Sequence, residues 1–206
     1  MTLEAKDVGV RYGKEAWLLR GVNLRIEPGE IVGLFGRSGI GKTTLARILA
    51  GYIRPQEGIV TLCGKPLPDN GYHPVQLVFQ HPETSVNPRW RMRQVLNEGW
   101  SPDEAILDSL GIRKEWLHRR PNELSGGELQ RFCVARALGP NTQFLIADEM
   151  TAMLDAVTQA QIWRAVLQQA EKRRIGLLVI SHEQVLLHRL CSRIVDLAAA
   201  GMRSSN

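Results

Sequence analysis

The sequence predicts an α/β fold: a mostly parallel sheet flanked by helices, an N-terminal antiparallel β region, and a small helical insert at 81–123. Three observations predict it. Residues 2–12 and 22–26 alternate apolar and polar side chains, as half-buried antiparallel strands do. Short uninterrupted apolar runs such as Ile31-Val32-Gly33-Leu34-Phe35 alternate with helical stretches, the pattern of strands buried on both faces. Between 80 and 123 the chain turns polar and proline-punctuated, with only short helical pieces.

Each element follows in order. Glu27-Pro28-Gly29-Glu30 is a turn. The apolar run 31–35 leads straight into a glycine-rich loop, after which 42–50 reads as a helix stopped by Gly51. Residues 59–63 and 75–79 are further strands. Within the insert, 103–110 reads as a helix with Ser101 as its cap and Pro102 at the first helical position. The main domain resumes at Leu124 with a helix over 128–138, a buried strand at 144–147, an amphipathic helix over 155–172 and a buried strand at 175–180. Residues 183–190 are helical and 194–197 form a last short strand. The chain is thus expected to be one domain, with 1–80 and 124–206 as its core.

Composition narrows the class. At 206 residues, with 44% hydrophobic and 23% charged residues, the chain can bury a core without disulfide staples. No stretch approaches the roughly 20 apolar residues that span a bilayer. The start Met1-Thr2-Leu3-Glu4 has neither the basic nor the apolar region of a signal peptide. Cys63, Cys133 and Cys191 are odd in number and far apart, which predicts reduced core thiols in a cytosolic protein. The net charge is +5, with basic clusters at Arg89/Arg91/Arg93, Arg119-Arg120 and Lys172-Arg173-Arg174. These fit a solvated face or one against anionic headgroups; without aromatic interleaving, no nucleic-acid partner is expected.

Four motifs carry chemistry. Gly36-Arg37-Ser38-Gly39-Ile40-Gly41-Lys42-Thr43 fits G-x-x-x-x-G-K-[ST], in the strand–loop–helix context that motif requires. Its glycines let backbone N–H groups wrap phosphate oxygens, and the helix that follows offers its positive end to the same anion. Lys42 supplies a point charge to the β- and γ-phosphates, and the Thr43 hydroxyl is a hard oxygen suited to Mg²⁺. Asp148 ends an apolar strand, where open α/β sheets hold ligands, and can hold Mg²⁺ through water. Its neighbour Glu149 can polarise an attacking water as a general base. His182 follows the next buried strand, placed to contact a γ-phosphate and hold that water in line.

Ser125-Gly126-Gly127-Glu128 opens a helix and forms a second anion-binding geometry. One phosphate loop with two anion sites is explained economically by a head-to-tail dimer, each nucleotide lying between the loop of one subunit and this turn of the other. Tyr12 ends the first strand region and fits either an adenine-stacking ring or an amphipathic strand end. Gln80 stands where the insert begins; its amide could ligate Mg²⁺ and report γ-phosphate occupancy to the insert.

From about Tyr12 to about Asp196 these residues resemble the nucleotide-binding subunits of ABC transporters. The resemblance implies a P-loop NTPase core and ATP hydrolysis with Mg²⁺. It assigns Tyr12 to adenine stacking, Gly36 through Thr44 to Walker A, Gln80 to the Q-loop and Leu124-Ser125-Gly126-Gly127-Glu128-Leu129-Gln130 to the family signature. It further assigns Asp148 and Glu149 to Walker B and its catalytic glutamate, Leu154-Asp155 to the D-loop acting across the dimer, and His182 to the switch histidine. Val78-Phe79-Gln80-His81-Pro82-Glu83-Thr84-Ser85-Val86-Asn87-Pro88-Arg89 is similar to the Q-loop stretch of oligopeptide, dipeptide and nickel importer ATPases, as is Pro121-Asn122-Glu123-Leu124-Ser125.

That narrower likeness implies a peripheral subunit on the cytoplasmic face of the membrane, working with a second ABC ATPase (a further copy or a paralogue). Two permease subunits and, indirectly, an extracytoplasmic solute-binding protein complete the implied import system. Met150 stands where the family usually has proline, but the carboxylate before it is kept, so activity is expected. Ile40 takes a loop position that is usually small or polar, and its side chain need not face phosphate. The family usually continues past Asp196 with a glycine-containing hairpin, so a compact or truncated ending is expected. The rivals are an ABC-type ATPase acting on nucleic acid or ribosomes, and a regulatory nucleotide-binding module without turnover.

Overall fold

The computed structural model describes residues 2–13, 16–68 and 71–200. Strands β1 (Leu3–Val10) and β2 (Leu19–Ile26) pair antiparallel, followed by β3 (Ile31–Phe35) and helix α1 (Lys42–Leu49). Then come β4 (Glu57–Leu62), β5 (Lys65–Pro66), β6 (Val75–Val78), α2 (Met92–Leu96) and α3 (Glu104–Ser109). The chain continues through α4 (Gly126–Ala137), β7 (Phe144–Asp148), α5 (Ala156–Arg173), β8 (Gly176–Ile180) and α6 (Gln184–Leu190). It ends with β9 (Arg193–Asp196) and α7 (Leu197–Ala200). Three short 3₁₀ turns lie between β6 and α4, at Pro82–Ser85, Lys114–His118 and Pro121–Glu123.

The strands form two sheets. An antiparallel one has the order β2-β1-β4-β5, and a wholly parallel one the order β6-β7-β8-β3-β9. Side chains along the parallel strands alternate between two cores, as the period of two demands. Phe144, Ile146, Leu178, Ile180, Val32 and Leu34 face α1 and the antiparallel sheet. Leu145, Ala147, Leu177 and Val179 face the other way, onto α4, α5 and the 82–123 segment through Phe132, Trp163 and Met92. Burial on both faces is why these strands read as unbroken apolar runs.

Several boundaries differ from the sequence reading, each for a local reason. The cap of α3 is Asp103 rather than Ser101, because its carboxylate accepts from the Ile106 N–H at 2.9 Å and adds negative charge at the positive end. Helix α4 begins at Gly126, since Ser125 caps it and the two glycines form its first turn. Asp155 lies outside α5 as its cap, accepting from Val157 and Thr158 N–H, both at 3.0 Å. The first strand stops at Val10, so Tyr12 sits beyond it, and the second starts earlier, at Leu19. Leu197 turns into α7 instead of ending a strand, with the Asp196 carboxylate accepting from Ala198 N–H at 2.9 Å. Of the three thiols only Cys133 is buried. Cys191 is half-buried, and Cys63 is exposed at the β4–β5 turn with φ 56°.

Candidate functional site

Parallel register brings the predicted residues to one end of the sheet. Leu34 pairs with Ile180, so Gly36 and His182 each lie two residues past aligned positions on neighbouring strands. Asp148 pairs with Ile180, and Val78 with Ala147, which sets Gln80 at the level of Glu149. The glycine loop, Gln80, Asp148, Glu149 and His182 therefore all leave the C-terminal edge, where open parallel sheets bind ligands.

The loop is built to receive an anion. Gly41 has φ 106°, a conformation that L side chains avoid, and a Cβ there would stand 2.8 Å from Leu19 Cδ2. Gly39 has φ 79° with open space around it. No side chain caps α1, leaving its first N–H groups directed at the loop. Lys42, 7% exposed, donates to Gly36 O at 2.8 Å and Arg37 O at 3.1 Å. Ile40 turns inward: its Cγ2 lies 3.0 Å from where a Gly36 Cβ would be, and it packs on the core. A branched side chain at that loop position therefore leaves the phosphate face clear. The Tyr12 hydroxyl is 3.4 Å from Thr44 Oγ1, which sets the half-exposed ring beside the first turn of α1.

Asp148 is 4% exposed. Burial, and the charge of Glu149 beside it, push its carboxyl above the ordinary value, while the Thr43 hydroxyl and Lys42 pull it back. A buried carboxylate hydrogen-bonded to a threonine hydroxyl is a hard-oxygen pair that fits Mg²⁺. Glu149 has φ 49°, a left-handed backbone that costs of order 1–3 kcal/mol in a residue other than glycine. Its N–H donates to Ile180 O at 3.0 Å, tying it to β8, and its Oε2 is 3.5 Å from His182 Nδ1. Ser181 Oγ accepts from Glu183 N–H at 3.0 Å and shapes the turn that presents His182.

The turn predicted as a second anion site lies elsewhere in the chain. Ser125 and Glu128 form a reciprocal cap: Ser125 N–H donates to Glu128 Oε2 at 2.8 Å, and Glu128 N–H to Ser125 Oγ at 3.3 Å. A Cβ on Gly127 would touch Thr158 Cγ2 and Leu154 Cδ2, at 3.4 and 3.5 Å, so the turn adjoins Asp155. Donation from the Thr158 backbone N–H, and then from its hydroxyl, holds the Asp155 carboxyl below its usual value. Among the described residues, no hydrogen bond or ion pair joins Ser125, Gly126, Gly127, Glu128 or Asp155 to the 36–44 loop.

Arg131 and Thr151 escaped the sequence motifs, and Gln130, the last residue of the signature stretch, has a partner that the motif did not reveal. Arg131, 9% exposed, donates through Nη1 to Leu110 O at 2.5 Å and Gln161 Oε1 at 2.8 Å, and through Nη2 to Thr158 Oγ1 at 3.4 Å. Gln130 Nε2 donates to Phe79 O at 3.0 Å, linking the signature helix to the residue before Gln80. Thr151 Oγ1 accepts from both Trp163 Nε1 and Gln159 Nε2. Gln130 was marked by its place in the signature, while the only signal for Arg131 was a polar residue on a largely apolar helix, and Thr151 had none.

A family model described as ABC transporter matches residues 19–152. The nickel import system ATP-binding protein NikE of Staphylococcus aureus is 35% identical over 95% of this chain and 86% of its own length. The bacterial ABC transporter cassette MJ0796, solved as a dimer, superimposes with a TM-score of 0.79 at 25% identity, covering 94% of this chain and 93% of that one. The same cassette in a post-hydrolysis dimer with ADP and Pi matches equally well.

Proposed function

Because the chain belongs to the ABC transporter family and is an ATP-binding, ATP-hydrolysing subunit of it, we propose that it powers import of a small solute of the nickel, metal-chelate or peptide class. The likeness to a nickel import ATPase along 95% of the chain carries this reading. The 78–89 stretch, which is similar to importer Q-loops, agrees with it.

At the sheet edge, Lys42 and the loop backbone from Gly36 to Thr44 hold the β- and γ-phosphates, with Tyr12 against the adenine. Thr43, Asp148 and Gln80 hold Mg²⁺, which neutralises phosphate charge. Glu149 accepts a proton from water as that water's oxygen bonds to the γ-phosphorus and the bond to the ADP oxygen breaks. His182, beside Glu149, steadies the water and the γ-phosphate. Ser125, Gly126, Gly127, Glu128 and Asp155 form one surface apart from the subunit's own loop. They complete the site of a second ABC ATPase subunit, a further copy or a paralogue.

Among the described residues no helix is long and apolar enough to cross a membrane. By its likeness to an import ATPase the subunit docks on the cytoplasmic face against two permease subunits. A groove of about 760 Å³ beside Phe79, lined also by Tyr72, Ser85, Glu98 and Arg136, is the surface offered to them. A solute-binding protein on the far side acts only through the permeases. Uptake of radioactive nickel and of labelled dipeptide, in cells carrying the parent chain or Glu149→Gln, tests the reading. Loss of uptake of one cargo in the variant is expected. Equal uptake of both would remove the import assignment.

A further inference from the structure

We propose that Trp163, through Thr151, is a positioning residue for Glu149. The inference rests on Glu149 being the general base. The turn from Glu149 to Asp155 carries that carboxylate, and its backbone needs holding. Glu149 occupies left-handed φ/ψ space without being glycine, and Met150 has no ring to fix the next φ. Strained conformations persist only where their surroundings over-determine them.

On one side the restraint is the Glu149 N–H bond to Ile180 O. On the other it is a clamp from α5. Thr151, 3% exposed, accepts from Trp163 Nε1 and from Gln159 Nε2, each at 3.1 Å. These two donors fill both acceptor sites of the hydroxyl. Ala152 N–H donates to Glu149 O and Leu154 N–H to Thr151 O, each at 3.1 Å, so fixing Thr151 fixes the turn on either side of it. Trp163 is itself 5% exposed and packed in the core that also holds Met150, so the indole cannot follow a drifting turn. The carboxylate is thereby held 3.5 Å from His182, where an attacking water must lie between base and phosphate.

The test is steady-state ATP hydrolysis by the full chain, under conditions where the parent turns over, in four variants. Thr151→Val removes the acceptor at nearly constant shape, and Trp163→Phe removes the donor while keeping a ring in the core. Thr151→Ser keeps the hydroxyl, and Glu149→Gln removes the base. Misplacing the base should lower kcat roughly 10- to 100-fold in Thr151→Val and Trp163→Phe, with KM for ATP unchanged. Thr151→Ser should stay within about threefold of the parent. Trp163→Phe decides the matter where Thr151→Val does not fold. Normal kcat in Thr151→Val and Trp163→Phe beside an inactive Glu149→Gln would overturn the clamp and leave the base assignment standing. So would a rise in KM that tracks the loss, or a Thr151→Ser as slow as Thr151→Val. An active Glu149→Gln would instead overturn the base assignment itself.

Discussion

Arg131→Met would cut the link between the signature helix and α5, and its cost can be worked from the contacts. The guanidinium is 9% exposed and donates to Leu110 O, Gln161 Oε1 and Thr158 Oγ1. Among the described residues Leu110 O has no other donor, so the substitution leaves a buried carbonyl unpaired, at about 1–3 kcal/mol. Loss of the charge-assisted bond to Gln161 adds about 1–2 kcal/mol, softened because that amide is half-buried and can reach water. Thr158, at 3.4 Å, adds little. Against this stands the relief of burying a charge, since burial already pushes the Arg131 guanidinium below its ordinary value. The methionine stem keeps most of the packing, so the net loss comes to roughly 2–4 kcal/mol. Urea unfolding followed by tryptophan fluorescence should show the midpoint falling by about 1–2 M at constant slope. A double-mutant cycle with Gln161→Ala should show coupling above roughly 0.5 kcal/mol. A loss under about 0.5 kcal/mol, or strict additivity, would refute the claim that this arginine pins the two helices.

Other consequences are sharp enough to measure. The Asp148 carboxyl is raised by burial and by Glu149, so the folded chain binds that proton more tightly than the unfolded chain does. Stability from this group is then present at low pH and lost as pH rises through the ordinary carboxylate range to the raised value. Without nucleotide or metal, Asp148→Asn should therefore unfold at a higher temperature than the parent at pH 7, with the gap closing in acid; equal melting at pH 7 would contradict the burial argument. Lys42→Ala removes the buried ammonium at the loop and should weaken ATP binding roughly 10- to 100-fold, read by titration of a fluorescent ATP analogue. Gly176→Ala would set a Cβ 2.5 Å from the Phe144 ring and 2.8 Å from Glu27 O, and should cost about 1–3 kcal/mol in thermal or urea unfolding.

The sequence carried the parallel sheet and most of its edge because both depend on local chemistry. Runs such as Phe144-Leu145-Ile146-Ala147 can be stable only between two apolar layers, and the Gly-rich loop needs its glycines wherever it lies. Helix starts were less legible because they turn on which of several polar residues reaches a backbone N–H. Ser101 and Asp103 both suit a cap on type alone, and only the path of the chain favours Asp103. The clamp on Thr151 and the pin at Arg131 were invisible for another reason. Each joins residues eight or more positions apart, as Thr151 with Gln159 and Trp163 or Leu110 with Arg131, and no periodicity encodes which hydroxyl or carbonyl a buried donor will meet. A tryptophan inside an amphipathic helix reads as core, which it is, and its N–H adds the unseen function. Exposed Cys63 shows the reverse: its thiol looked like core, but a left-handed turn carries it outward.

The signature turn at Ser125 is proposed to close on the nucleotide of another subunit and not on that of its own chain. The solution mass of Glu149→Gln, measured with and without Mg-ATP, tests it most directly, because blocked hydrolysis preserves the closed state. The mass should double on ATP addition, and a second substitution, Ser125→Arg, should abolish the doubling while leaving ATP binding intact. A variant that doubles regardless of ATP and of Ser125 would contradict it, whereas one that binds ATP and stays a single chain would exclude a second copy as the partner and point to a paralogous ATPase.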